Sequence, residues 1–209
     1  MTSLSGMSAA LLLMDSVQGR LGTTTALLRK GSNPASSVPP APTVPPAPTW
    51  QAPKPLSEAN SKRVLEAVRE AMRSDWQPEM YEDELPESQA FALSDREALV
   101  ILKTGCGAYN CSYSLYQAPL DHPQQARQAS IAEIPGFEDL PPGGSVEFDP
   151  ASGELSSFTL AMGMGGCGFT QRWRYDGKGF VPVHATMLGT CLGLDSAYWP
   201  VLWRTAEKR

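Results

Sequence analysis

"ALVILKTGCGAYNCSYSLYQAP", residues 98–119, holds two hydrophobic patterns back to back. Its first five residues form an unbroken apolar run, the mark of a strand buried on both faces. The part after Cys111 alternates apolar and polar side chains with the period of two of a half-buried strand. Between them Gly107, Ala108, Tyr109 and Asn110 make a turn flanked by Cys106 and Cys111. The stretch therefore predicts a hairpin with a cysteine at each shoulder, which is either a metal or redox centre or a staple.

The rest of the chain beyond residue 91 also reads as β. "SVEFDPASGELSSFTLAMG", residues 145–163, is a strand, an Asp149 to Gly153 turn and a second strand. "TQRWRYDGKGFVPVHATML", residues 170–188, is another hairpin, with Asp176-Gly177 at the turn and Trp173, Tyr175, Phe180 and Val183 supplying the faces. "AYWPVLWR", residues 197–204, adds aromatic bulk that closes a core. These segments predict about six strands.

Upstream, "SEANSKRVLEAVREAMRS" places Val64, Leu65, Val68 and Met72 on one helical face behind a Ser57 cap, with Glu66 and Glu70 opposite. The spacing predicts one amphipathic helix docked on the sheet. The acidic, proline-punctuated run after it is a loop; Glu79, Glu82, Asp83 and Glu84 lack the ligand spacing of a calcium loop. Residues 33–55 repeat "VPPAPT", which favours polyproline II and reads as a semi-rigid linker rather than a ligand for an aromatic groove. Before it, the apolar run Met7 to Met14 has no preceding Lys or Arg, ends at Asp15 and is too short to span a bilayer. It reads as a strand or short helix, and with the Thr-rich stretch after it as two core elements of a larger whole.

Composition narrows the partners. The 209 residues carry 17 Lys+Arg against 22 Asp+Glu, a net charge of −5, so nothing attracts a phosphate backbone over distance. Nineteen prolines and eighteen glycines break the chain into short elements.

Four cysteines, Cys106, Cys111, Cys167 and Cys191, allow three disulfide connectivities. Their order along successive hairpins favours Cys106 with Cys111 and Cys167 with Cys191. A four-thiolate zinc site expects two tight knuckles, and only the first pair approaches that spacing. A thioredoxin-like pair expects two intervening residues at a helix N-terminus, and here four residues lie between strands. Met162 and Met164, on a strand near Cys167 and facing His184, would make a soft copper(I) set; ordinary core packing is the simpler reading. His122 sits before a proline in a loop and His184 inside a strand, so neither completes a Ser-His-Asp arrangement. Asp149, Asp176 and Asp195 read as turn residues. No catalytic constellation emerges and no cofactor is implied.

The features Gly166-Cys167-Gly168, Trp173 to Gly177, Cys191-Leu192-Gly193 and Trp199 to Trp203, in that order, with "CGAYN" at residues 106–110, resemble the bacterial domain of unknown function 1176 family. The resemblance covers nearly the whole chain but only the later part of the family's pattern. It implies an exported protein whose signal and an upstream cysteine-containing region lie outside this chain. Family members often carry a cysteine after the helix, where Ser74 and Asp75 stand here, and lack a counterpart of Cys111. The resemblance brings no activity with it.

The expectation is thus an α+β protein, a mostly antiparallel β-sheet with β-hairpins and one packed amphipathic helix, stapled by disulfides. Residues 1–32 form an N-terminal segment left from an upstream domain, residues 33–55 a proline-rich linker, and residues 56–209 the α+β domain. Disulfides favour an oxidising compartment, periplasmic or secreted. The expected role is a non-enzymatic binding or interaction module for an envelope protein or small ligand, with no nucleic acid and no membrane span. A copper-binding or thiol-redox protein is the alternative.

Overall fold

Strand β2, Glu97–Cys106, is covered on both faces, and its parity explains the architecture. Ala98, Val100 and Leu102 point one way and pack against Val64 and Val68. Leu99 and Ile101 point the other way and pack against Leu155, Trp173, Tyr175 and Phe180. The unbroken apolar run is therefore a shared wall between two cores, since successive side chains of a strand leave opposite faces. Each large apolar side chain buried there contributes roughly 1.5–3 kcal/mol.

The computed structural model describes residues 6–74, 88–136 and 138–206. The chain divides into two compact units, Met1–Thr43 and Val44–Arg209. In the second unit β1 (Gln89–Ala92), β2, β3 (Cys111–Pro119) and β4 (Arg127–Gln128) form a four-stranded sheet in that order. A five-stranded sheet follows, also in chain order: β5 (Ser145–Asp149), β6 (Glu154–Leu160), β7 (Gly168–Tyr175), β8 (Phe180–Leu188) and β9 (Val201–Arg204). Every neighbouring pair is antiparallel. The α+β class with a mostly antiparallel sheet and a packed helix is what forms, with nine strands in two sheets among the described residues where the sequence suggests about six in one.

Helix α2 (Glu58–Ala71) covers the outer face of the first sheet. The amide of Asn60 donates to Ser57 Oγ at 3.3 Å, so the cap satisfies one of the first turn's free donors. Only Val64 and Val68 are fully buried, with Leu65 and Met72 packed beside them. A charge at Val100 would be sealed under this helix without a partner, the costliest kind of single change.

Between the sheets lies a polar seam. Gln117 on β3 is fully buried. Its amide nitrogen donates to Tyr175 Oη at 3.4 Å and to the Lys178 carbonyl at 3.2 Å. Its oxygen accepts from Arg127 Nη1 at 3.0 Å and from the Ser130 amide at 3.1 Å. All of the carboxamide's hydrogen bonding is thereby used, which is what permits a glutamine at a core position. Tyr175 Oη in turn donates to Glu97.

The first unit contains helix α1 (Met7–Val17), so the short apolar run is helical. Asp15 is buried and accepts from the amides of Leu27 and Leu28 at 2.7 and 3.3 Å, with the Arg20 guanidinium 3.8 Å away. A carboxylate that the sequence presents as the end of the run is the anchor that folds the following loop back onto the helix.

Candidate functional site

Two features of the second unit stand out: a disulfide-stapled apolar end and a cleft. At the stapled end Cys106 and Cys111 are direct register partners of β2 and β3 and are joined by a disulfide. The turn they close is tight, with the Gly107 amide donating to the Asn110 carbonyl at 2.7 Å. Asn110 then binds the end of β6 twice, accepting from the Leu160 amide at 3.0 Å and donating to its carbonyl at 2.8 Å. This double bond fixes the hairpin tip of one sheet against the strand end of the other. Tyr109 lies over Gly163, where an added Cβ would come within 3.0 Å of the ring.

β6 stops at Leu160, because Gly165 and Gly166 take positive φ values of 72° and 78° that reverse the chain. Cys167, fully buried, is joined to Cys191. The segment after Cys191 is anchored by Trp199, which is buried against Phe158 at a centroid distance of 5.8 Å and donates its indole N–H to the Leu194 carbonyl. What these anchors leave outside is apolar. Met164 is 94% exposed, Tyr198 77% and Leu192 65%, and Tyr109, Met162, Leu194, Val201 and Leu202 are exposed with them. Across residues 104–110, 160–168 and 187–202 the sole charge is Asp195. A rigid backbone with apolar side chains facing water is a surface suited to contact with another apolar surface.

The cleft has a volume of about 420 Å³ and lies where residues 128–142 cross from one sheet to the other. Tyr113 and Leu115 of β3 form one wall, and Trp173 and Ile134 lie at its base. The Trp173 indole donates to the Ala132 carbonyl at 2.9 Å, which holds the crossing segment in place. Glu133, Glu138 and Asp139 stand at the rim and are exposed. Burial pushes the Tyr113 phenol up from its ordinary value, an effect larger than the opposing hydrogen bond from the Val146 backbone. The Gly136 amide donates to Glu138 at 2.8 Å and holds that carboxyl below the ordinary range.

The remaining sequence candidates are dispersed. Met162 and Met164 occupy the exposed turn beyond β6, not a strand face. His184 lies opposite Arg172 and Arg204 on β8, four residues before Leu188, the partner of Gly168; at about 3.4 Å per residue it is ~14 Å along the strand from that end. The structure thus does not bring Met162, Met164 and His184 together, and Cys167 offers no thiol. His122 precedes a short 3-10 turn, Pro123–Gln125, and is exposed. Asp149 accepts from the Ser152 hydroxyl and the Ala151 amide, Asp176 from the Gly179 and Lys178 amides, and Asp195 from the Ala197 amide. Those bonds hold the Asp149 and Asp176 carboxyls below their ordinary range. Glu79, Glu82, Asp83 and Glu84 lie outside the described residues. The Gln117, Tyr175, Glu97 and Arg127 seam escapes the sequence reading; its one signal is a glutamine at an inward position of an alternating strand.

Comparison with known proteins agrees with the sequence resemblance. The family described as protein of unknown function (DUF1176) matches residues 1–206. A relative from Escherichia coli (strain K12), the "Uncharacterized protein YpfG", is 32% identical over 216 residues, covering 97% of this chain. The chain spans 59% of that relative's length. No solved structure matches the chain.

Proposed function

The chain belongs to the DUF1176 family, and from that premise we propose that it is a non-enzymatic interaction module of an oxidising compartment, periplasmic or secreted, that presents its stapled end to an envelope partner. The observation that carries this reading is the nearly uncharged apolar surface around Tyr109, Met164, Leu192 and Tyr198, held in place by both disulfides. Monomeric proteins rarely keep so many large apolar side chains together in water without a contact for them to make. Two disulfides in one chain favour an oxidising environment. Among the described residues no helix is long and apolar enough to cross a membrane.

The division into residues 1–32, a proline-rich link at 33–55 and an α+β part at 56–209 belongs to the same proposal. The second half of the link rests on the α+β part, as described below.

Copper(I) binding is the weaker reading, because Met162 and Met164 share a turn with no third soft ligand from His184 or Cys167. One experiment separates the two. Wild-type protein and a Met164→Lys, Leu192→Lys, Tyr198→Lys variant are cross-linked in envelope extract, and both are titrated with copper(I). A partner captured by the wild type and lost from the variant supports the module. Stoichiometric copper binding that disappears when Met162 and Met164 are replaced by leucine would reverse the assignment.

A further inference from the structure

Residues 38–43 and 44–49 are the same hexapeptide, Val-Pro-Pro-Ala-Pro-Thr, and only the second is followed by tryptophan. That second copy lies along the five-stranded sheet. The Pro45 carbonyl accepts from the Ala206 amide at 2.8 Å, and Pro46 bridges Ala206 in parallel. The Pro48 carbonyl accepts from Arg174 Nη1 at 3.2 Å. Trp50 closes the contact, with its indole N–H on the Pro150 carbonyl at 3.0 Å and its ring edge-on to Phe148 and Tyr175 at 6.2 and 6.0 Å.

The chemistry of this groove matches its occupant. A proline has no N–H, so a proline-rich segment in the polyproline II form offers carbonyl acceptors and apolar ring faces. The groove supplies two donors for the carbonyls, the Ala206 amide and the Arg174 guanidinium, and aromatic rings for the anchor. Arg174 is pre-positioned by Glu154, which accepts from Nη2 at 2.6 Å, and its Nε is buried with no hydrogen-bond partner among the described residues. Gly153, at φ 69°, leaves the space the indole fills; a Cβ there would overlap the Trp50 ring. Of the two identical hexapeptides, only the second is followed by this anchor.

We propose that this groove is a recognition site for a proline-rich segment ended by tryptophan, filled within the chain by residues 45–50 and filled by exchange from a second copy of the same chain. Each of these contacts can form between copies as well as within one. The connection from Trp50 to α2 contains Pro53 and Pro55, which hold it extended and resist a sharp return of the chain. Docking within the chain competes with an effective concentration of the order of millimolar, so exchange belongs to concentrated protein or to protein that has been transiently opened. The groove begins at the start of β6, whereas the stapled end lies beyond its last residue, so the inference stands independently of the module's apolar surface.

Two preparations of the full chain with different affinity tags are mixed at about millimolar concentration, where exchange should compete, and then sized with light scattering. The expected result is a species of doubled mass carrying both tags, suppressed by a synthetic peptide of residues 44–52. Trp50→Ala alone weakens docking within and between copies alike and should leave the doubled fraction nearly unchanged, whereas Trp50→Ala combined with Ala206→Pro, which also removes the amide donor at an exposed position, should undock the segment in both arrangements and return the chain to single mass. The proposal is overturned if no doubled species forms, if the double variant forms it as well as the wild type, or if the peptide binds the groove without affecting it.

Discussion

Tyr175 on the five-stranded sheet donates its phenolic hydrogen to Glu97 on the four-stranded sheet, O to O 2.8 Å, across 78 positions of sequence. Arg127 sits on the other carboxylate oxygen at 3.4 Å. Two sheets linked along the backbone only by isolated bridges among the described residues, such as Gly144 to Cys111 and to Phe158, are thus joined by a hydrogen bond to a charged acceptor.

The bond makes stability sensitive to alkali. Burial first, and the Glu97 contact second, raise the Tyr175 phenol above its ordinary value of 10.0. A group with a raised folded value favours folding while it keeps its proton. Its contribution is therefore complete below pH 10.0 and is lost as pH climbs through the raised value. Tyr175→Phe should cost about 1 kcal/mol near neutral pH and flatten the alkaline decline, both read from urea unfolding. An unchanged alkaline slope in the variant would remove this account.

Gln117 should be among the most sensitive polar positions. Gln117→Leu keeps the volume close but strands Arg127, the Ser130 amide, Tyr175 and the Lys178 carbonyl. A loss of about 3 kcal/mol is expected by thermal or chemical unfolding. A loss below that of Tyr175→Phe would mean that water enters and replaces the amide.

The two disulfides should differ in worth. Their sequence separations are 24 for Cys167–Cys191 and 5 for Cys106–Cys111. Loop-closure entropy gives about 3 kcal/mol for the longer loop and about 2 kcal/mol for the shorter. Replacing each pair by serine and measuring Tm should reproduce that order. The reverse order would assign Cys106–Cys111 a role in holding the sheets together through Asn110 that exceeds its entropy.

The apolar end should be dispensable for folding. Met164→Lys and Tyr198→Lys, at positions 94% and 77% exposed, should change stability by no more than about 0.5 kcal/mol. A cooperative loss of structure in either would show that these side chains support the fold rather than await a contact.

Local patterns carried much of this in advance. The hairpin at Cys106 and Cys111, the Ser57-capped helix and the Asp149 and Asp176 turns all rest on signals within about ten residues of each other. The pairing of layers does not. Residues 120–144 alternate too weakly to reveal that they carry the chain from one sheet to another. Trp50 hides in a composition that signals a linker, and its partners lie about a hundred residues away. The alternating run before Met162 and Met164 predicts that both lie on a strand; the positive φ of Gly165 and Gly166 ends it sooner.

β2 also constrains how the length of this protein can vary. Consecutive residues from Ala98 to Leu102 serve different cores. One inserted residue among them would turn every later side chain to the wrong layer, placing Leu102 between the sheets and Ile101 under the helix. Just beyond, the register already shifts between Lys103 and Gly105, so an added residue there is absorbed by the bulge. Insertions and deletions among related chains should therefore collect after Lys103 and be absent from Ala98 to Leu102. This five-residue window is a ruler against which any alignment of the family can be checked.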